Sequence, residues 1–149
     1  MHADLKQTHL SKRTTILALI VAVVASMAPV AVAAGSTNPP DTYIRARLKD
    51  AALRYNVPSA ILMAIAYQES GWRQFDAVGN TVVGTNATSQ DVGIMQINTS
   101  ARSDVDRLMT DIDYNIETGA RILDGKWKLA PGIGDRDRNV LENWYYAIL

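Results

Sequence analysis

Two residues that punctuate helices, Pro58 and Gly71, enclose twelve residues without a breaker: Ser-Ala-Ile-Leu-Met-Ala-Ile-Ala-Tyr-Gln-Glu-Ser. Proline in a first turn gives up only an N–H that has no partner inside the helix, and glycine just past the last turn accepts the left-handed conformation that ends it. The spacing therefore predicts a helix over residues 59–70. It is apolar on nearly every side, which marks it as central to the fold. Glu69 stands near its end, four residues after Ile65, seven after Leu62 and eight after Ile61, and so projects from the same stripe as those side chains.

A carboxylate in an apolar stripe is expected to be partly desolvated, and the last turn of a helix presents the negative end of the dipole. Both effects disfavour the charged form and raise the pKa, as a general acid requires. A helix-end carboxylate that simply turns to solvent fits the same segment. The competitors for catalysis are few. There is no cysteine, and both histidines, His2 and His9, lie at the N-terminus. Thiolate chemistry, disulfides, Ser-His-Asp triads and the common zinc sites are thereby excluded from a chain that begins after them.

That later beginning is itself expected. Lys6, Lys12 and Arg13 precede an uncharged apolar run over residues 16–34, and Ala31-Val32-Ala33 fits a small-x-small cleavage site. Residues 1–33 read as a signal peptide, residues 34–42 as a linker on the strength of Gly-Ser-Thr-Asn-Pro-Pro, and residues 43–149 as one domain. The alternative is an uncleaved anchor, because the run is about long enough to span a bilayer. Without residues 1–33 the chain carries 12 Lys+Arg against 14 Asp+Glu, a net charge of −2. No basic surface points to nucleic acid.

Asp41 is expected to cap a first helix bearing Ile44, Leu48, Ala51 and Ala52, which Asn56 stops. Residues 73–92, with Gly79, Asn80, Gly84, Asn86 and the pair Val82-Val83, read as turns with one short hairpin. Asp111 or Asp113 should cap a helix carrying Ile116, Ala120, Ile122 and Leu123, closed by Pro131-Gly132, and a last helix should open near Asn139 and run to Leu149.

Glu69-Ser70-Gly71 behind an apolar helix, then Gly93-Ile94-Met95-Gln96-Ile97-Asn98, then Asn115-Ile116 with Gly119 and Leu123, resemble the lysozyme-like lytic transglycosylases over about residues 43–125. The resemblance implies a mostly helical α+β domain with a small β or loop insertion beside the cleft. It implies an enzyme that cleaves the β-1,4 bond between N-acetylmuramic acid and N-acetylglucosamine in peptidoglycan, leaving a 1,6-anhydro end. Glu69 would be its general acid and base, with Ser70, Met95, Gln96, Asn98 and Asn115 contacting substrate. Neither cofactor nor metal is implied, and the protein would be an exported monomer without a stable membrane anchor once the signal is removed.

Alternatives remain at this level. Asp91, at the head of Asp91-Val92-Gly93-Ile94-Met95-Gln96, also resembles the segment that supplies a second carboxylate in animal-type lysozymes, which would make the chain a hydrolytic muramidase. Asp91 as a plain turn residue is the other reading. Met95 suits the core as well as a cleft wall. Trp72, Trp127, Trp144, Tyr145 and Tyr146 suit either sugar stacking or the core, and Asp104, Asp106, Asp111 and Asp113 lack the glycine and closing glutamate of a calcium loop. Asn86-Ala87-Thr88 and Asn98-Thr99-Ser100 match the glycosylation pattern. The family's pattern continues into Ala-Tyr-Asn-Gly after its Trp-Tyr-Tyr-Ala-Ile-type residues, whereas this sequence stops at Leu149. The expectation is a shortened domain, and an inactive peptidoglycan-binding module is a third possible role.

Overall fold

The computed structural model describes residues 36–85 and 90–149, all within one unit, Ala34–Leu149. The signal-peptide reading and the Asn86-Ala87-Thr88 pattern lie outside the described residues. Helix α1, Asp41–Arg54, buries the expected Ile44, Leu48, Ala51 and Ala52. Its cap is not Asp41 but Pro40, whose carbonyl accepts from the N–H groups of Tyr43 and Ile44. Asp41 is the first helical residue, where its charge still favours the positive end of the helix. Asn56, at φ 52, turns the chain out of the helix. The stretch before α1 is tied down, because Asn38 Oδ1 accepts from the backbone N–H groups of Gln74 and Phe75 and its Nδ2 donates to Phe75 O.

Helix α2, Ser59–Ser70, follows Pro58 and ends at Gly71, whose φ of 62 is the left-handed conformation anticipated there. It buries Ile61, Leu62 and Ala66. The chain then makes isolated bridges, Phe75 with Thr81 and Val83 with Val92, before a two-stranded antiparallel sheet of β1, Asp91–Val92, and β2, Ile97–Asn98. The Phe75–Thr81 bridge and β1 lie within the segment expected to hold turns and a short hairpin, and only β2 falls beyond it, the register set by Asp91 opposite Asn98 and Val92 opposite Ile97.

A short helix, α3, Val105–Thr110, has no counterpart in the sequence reading. Its entry is organised by Asp104, which receives Arg102 Nε and Nη2 at 2.8 and 2.6 Å and the Tyr114 hydroxyl at 2.7 Å. Helix α4, Ile112–Leu129, is capped by Asp111, which accepts from Tyr114 N–H at 3.0 Å. Beyond it, the single helix expected from Asn139 is instead a 3-10 turn, Leu141–Trp144, running into a one-turn helix α5, Tyr145–Ile148. Asp135 and Asp137 hold this region in side-chain turns. Asp135 Oδ1 accepts from Asp137 N–H and Asn143 Nδ2, and Asp137 Oδ1 from Asn139 N–H.

Arg138 fastens this last segment. Its guanidinium donates to the carbonyls of Tyr55 and Asn56 and pairs with Asp124 at 2.8 Å, and Trp144 Nε1 returns a bond to Arg138 O. Trp144 is wholly buried against Trp127, ring centroids 4.2 Å apart. One core therefore joins α1, α2 and α4 to Val92, Ile94, Met95 and Ile97 of the hairpin and to Trp144 and Ala147. The architecture is mostly helical with one small sheet.

Candidate active site

An open cleft of about 1020 Å³ runs along α2. One wall is the face of α2 that carries Ala60, Ile61, Ala64, Ile65, Gln68 and Glu69. Facing it are residues 95–98 of the hairpin, then Gly119, Ile122, Leu123 and Lys126 of α4, with Leu141, Ala147 and Ile148 closing the far end. The lining is apolar apart from Gln68, Glu69, Gln96, Asn98 and Lys126. Glu69 is the one carboxylate among the lining residues, and neither it nor Lys126 has a hydrogen bond or ion pair among the described residues.

The stripe of Ile61, Ile65 and Glu69 thus faces one cleft. Its burial differs from the sequence expectation, because Glu69 is exposed. It sits where the helix meets open space instead of a packed neighbour. The helix end itself is firmly fixed. Gly71 N–H donates to Tyr67 O and Trp72 N–H to Ala66 O, and Trp72 follows at a positive φ of 62. That backbone is costly for a tryptophan. Three contacts hold it: indole Nε1–H to Met63 O at 2.9 Å, the Tyr67 ring edge-on at 5.8 Å, and the Arg45 guanidinium 4.1 Å above the ring. Ser70 Oγ donates to Ile94 O at 2.8 Å and accepts from Arg73 N–H, so the residue after Glu69 is tied to the hairpin.

The hairpin tip is held from behind by two fully buried amides. Ile94 N–H donates to Gln74 Oε1 and Met95 N–H to Asn115 Oδ1, each at 2.9 Å. Gln74 Nε2 donates to the carbonyls of Leu108 and Met109, and Asn115 Nδ2 to those of Val92 and Leu108. Gly93, at φ +78, is required here twice over, since a Cβ would run into both amides.

A family model described as "Transglycosylase SLT domain" matches residues 47–148, well over half of the chain. The chain belongs to this transglycosylase SLT family. Protein IpgF of Shigella sonnei is 51% identical over 45 residues, covering 30% of this chain and 26% of that protein. The matched stretch spans about a quarter of that curated relative's length. No solved structure matches.

Within this SLT domain the residues singled out from sequence separate into groups. Glu69, Met95, Gln96 and Asn98 line the cleft together. Met95 is also 7% exposed core, and it occupies the space that the missing side chain of Gly119 leaves. Gln96, at φ 45, turns its amide inward to Gly93 O at 2.7 Å. Ser70 joins two elements and does not line the cleft. Asn115 has 0% exposure and all its side-chain bonds go to backbone, so in this structure it supports Met95 from behind the cleft wall.

Asp91 is absent from the lining and accepts Asn98 Nδ2 at 2.8 Å across the hairpin. Gln74, which with Asn115 holds the hairpin tip from behind, carries no sequence signal, being a lone glutamine in a loop. Of the aromatics, Trp127 and Trp144 are core, while Tyr145 and Tyr146 are exposed and stack edge-on with each other. Asp104 and Asp111 are engaged as described, and Asp113 pairs with Arg47 at 3.0 Å and accepts the Tyr43 hydroxyl. Among the described residues no group of three or more His, Cys, Asp or Glu is placed to hold a metal ion, and no helix is long and apolar enough to cross a membrane.

Proposed function

We propose that the protein is an exported lytic transglycosylase that cleaves the β-1,4 bond from N-acetylmuramic acid to N-acetylglucosamine in peptidoglycan, with Glu69 as general acid and base. The observation that carries this reading is that Glu69, the one carboxylate among the residues lining an open cleft in an SLT domain, has no partner among the described residues. Glu69 donates its proton to the glycosidic oxygen as the bond to the muramyl C1 breaks. The 6-hydroxyl of the same sugar then attacks C1, its proton passes to the Glu69 carboxylate, and a 1,6-anhydro ring closes. The carboxylate is restored to its protonated state, and no water is consumed.

A single carboxylate suffices for this cycle, whereas retaining hydrolysis in its usual form needs two about 5–5.5 Å apart. Asp91, the second carboxylate of the hydrolytic reading, is not in the cleft lining and is engaged by Asn98, which favours the anhydro route. Removal of residues 1–33 on export would bring the domain to its polymeric substrate outside the membrane. Mass spectrometry of peptidoglycan digested by the purified protein is expected to show anhydromuramyl ends. Glu69→Gln, which keeps shape and loses the proton, should lower the rate by about 10²–10⁴-fold, the usual contribution of a general acid. Reducing ends in place of anhydro ends, or wild-type rates from Glu69→Gln, would refute the proposal.

A further inference from the structure

We propose that Gln74 is a positioning residue for catalysis, setting the place of the hairpin tip relative to Glu69 through one intervening residue, Ile94. The inference rests on the reading of Glu69 as the acid. Ile94 uses both of its backbone groups in this bridge: its N–H donates to Gln74 Oε1 at 2.9 Å, and its carbonyl accepts from Ser70 Oγ at 2.8 Å. Ser70 is bonded covalently to Glu69, and Met95 and Gln96, which follow Ile94, line the cleft opposite it. A displacement of the Gln74 amide is therefore transmitted both to the hairpin residues that line the cleft and to the end of α2 that carries Glu69.

Gln74 is built to resist such displacement. Its side chain has 0% exposure, and both protons of Nε2 are used, toward Leu108 O at 2.8 Å and Met109 O at 2.9 Å. Its backbone is held on both sides, the N–H by Asn38 Oδ1 at 2.7 Å and the carbonyl by Val82 N–H at 2.9 Å. A buried amide is retained against its desolvation cost only where its bonds are made, and here they are. Asn115 holds the neighbouring Met95 N–H, but Gln74 alone of the two grips the residue that also binds Ser70. Small shifts of this kind matter because catalytic groups must be held within about 0.5 Å of their working geometry.

The test uses two variants of the full chain. Gln74→Met keeps the volume and loses every side-chain bond. Gln74→Glu keeps the acceptor for Ile94 N–H and loses both donors, one of which returns when the carboxyl is protonated. At a temperature well below their unfolding transitions, Gln74→Met is expected to lower kcat about tenfold or more while KM changes by less than about threefold. Leu48→Val, a destabilised control in α1, should leave both near wild type. Gln74→Glu should recover activity as the pH falls, giving a pH profile displaced to the acid side of the wild-type curve.

A wild-type kcat from Gln74→Met, a fall matched by Leu48→Val, or an unshifted profile from Gln74→Glu would each overturn the inference. A second readout does not depend on the reaction. In Gln74→Met the Ile94 amide proton should exchange faster with solvent, and the backbone resonances of Ser70 and Glu69 should move. Unmoved Ser70 and Glu69 resonances overturn the positioning role by themselves. If the wild-type protein cleaves no peptidoglycan while these resonances do move, the enzymatic reading fails and the mechanical coupling stands.

Discussion

Replacing Asn115 by alanine separates a substrate-binding residue from a structural one. The wild-type amide makes three bonds: it accepts from Met95 N–H at 2.9 Å and donates to Val92 O and Leu108 O at 3.0 Å each. Alanine orphans the Met95 N–H in the core and removes a donor from each carbonyl, although Leu108 O keeps Gln74 Nε2. A buried group left unsatisfied costs about 1–3 kcal/mol. With the N–H counted fully, the carbonyls counted partly and a small cavity added, the loss comes to about 3–5 kcal/mol. That is a large part of the roughly 5–15 kcal/mol that holds an ordinary domain together.

For a domain of this size each kcal/mol lowers Tm by about 4 °C, so Asn115→Ala should melt about 12–20 °C early in circular dichroism or calorimetry. Below that transition, KM for peptidoglycan fragments should stay close to wild type. A Tm within about 3 °C of wild type together with a strongly raised KM would refute the reasoning and return Asn115 to the substrate.

The other expectations concern the same frame. Gly93→Ala places a Cβ against both buried amides and forces alanine to φ +78, so it should lose about 2–4 kcal/mol by chemical denaturation, most of it steric. Asp91→Asn should keep cleavage within about threefold of wild type with anhydro products unchanged, because Asp91 is outside the cleft lining; loss of activity there would favour hydrolysis. Asp124 is raised by its burial but more than compensated by hydrogen bonds from Lys128 and Arg138, so its folded pKa lies below the ordinary carboxylate value. Its contribution to stability is therefore complete above about pH 4 and lost as the pH falls through the lower folded value. Urea titrations at stepwise lower pH should show a shallower acid decline in Asp124→Asn than in wild type.

The helices were legible where local chemistry decides them. Gly71, Asn56 and the Asp111 cap act on their own few residues as their types dictate, while Pro58 starts its helix from the cap position instead of the first turn, its carbonyl accepting from Ile61 and Leu62 N–H. Asp41 failed as a cap because Pro40, one residue earlier, presents its carbonyl first. Helix α3 escaped notice because six residues hold too little periodicity, and its start depends on an Arg102–Asp104–Tyr114 cluster assembled across the chain. At the site, periodicity placed Glu69 on the right face of α2 but could not give its burial, which depends on what stands opposite. The burial of Asn115 and the place of Gln74 are not legible for a related reason. A polar side chain in a motif looks alike in sequence whether it faces a ligand or the backbone of a distant turn.

The tight exit from α2 gives the protein an intrinsic optical probe. The chain contains three tryptophans, two of which, Trp127 and Trp144, are stacked in the core, while Trp72 lies three residues beyond Glu69 with its indole tethered to Met63. In a Trp127→Phe, Trp144→Phe background all indole fluorescence would originate three residues from Glu69. Glycan binding, loosening of the helix end and local melting would then be read from one emission band, without a label.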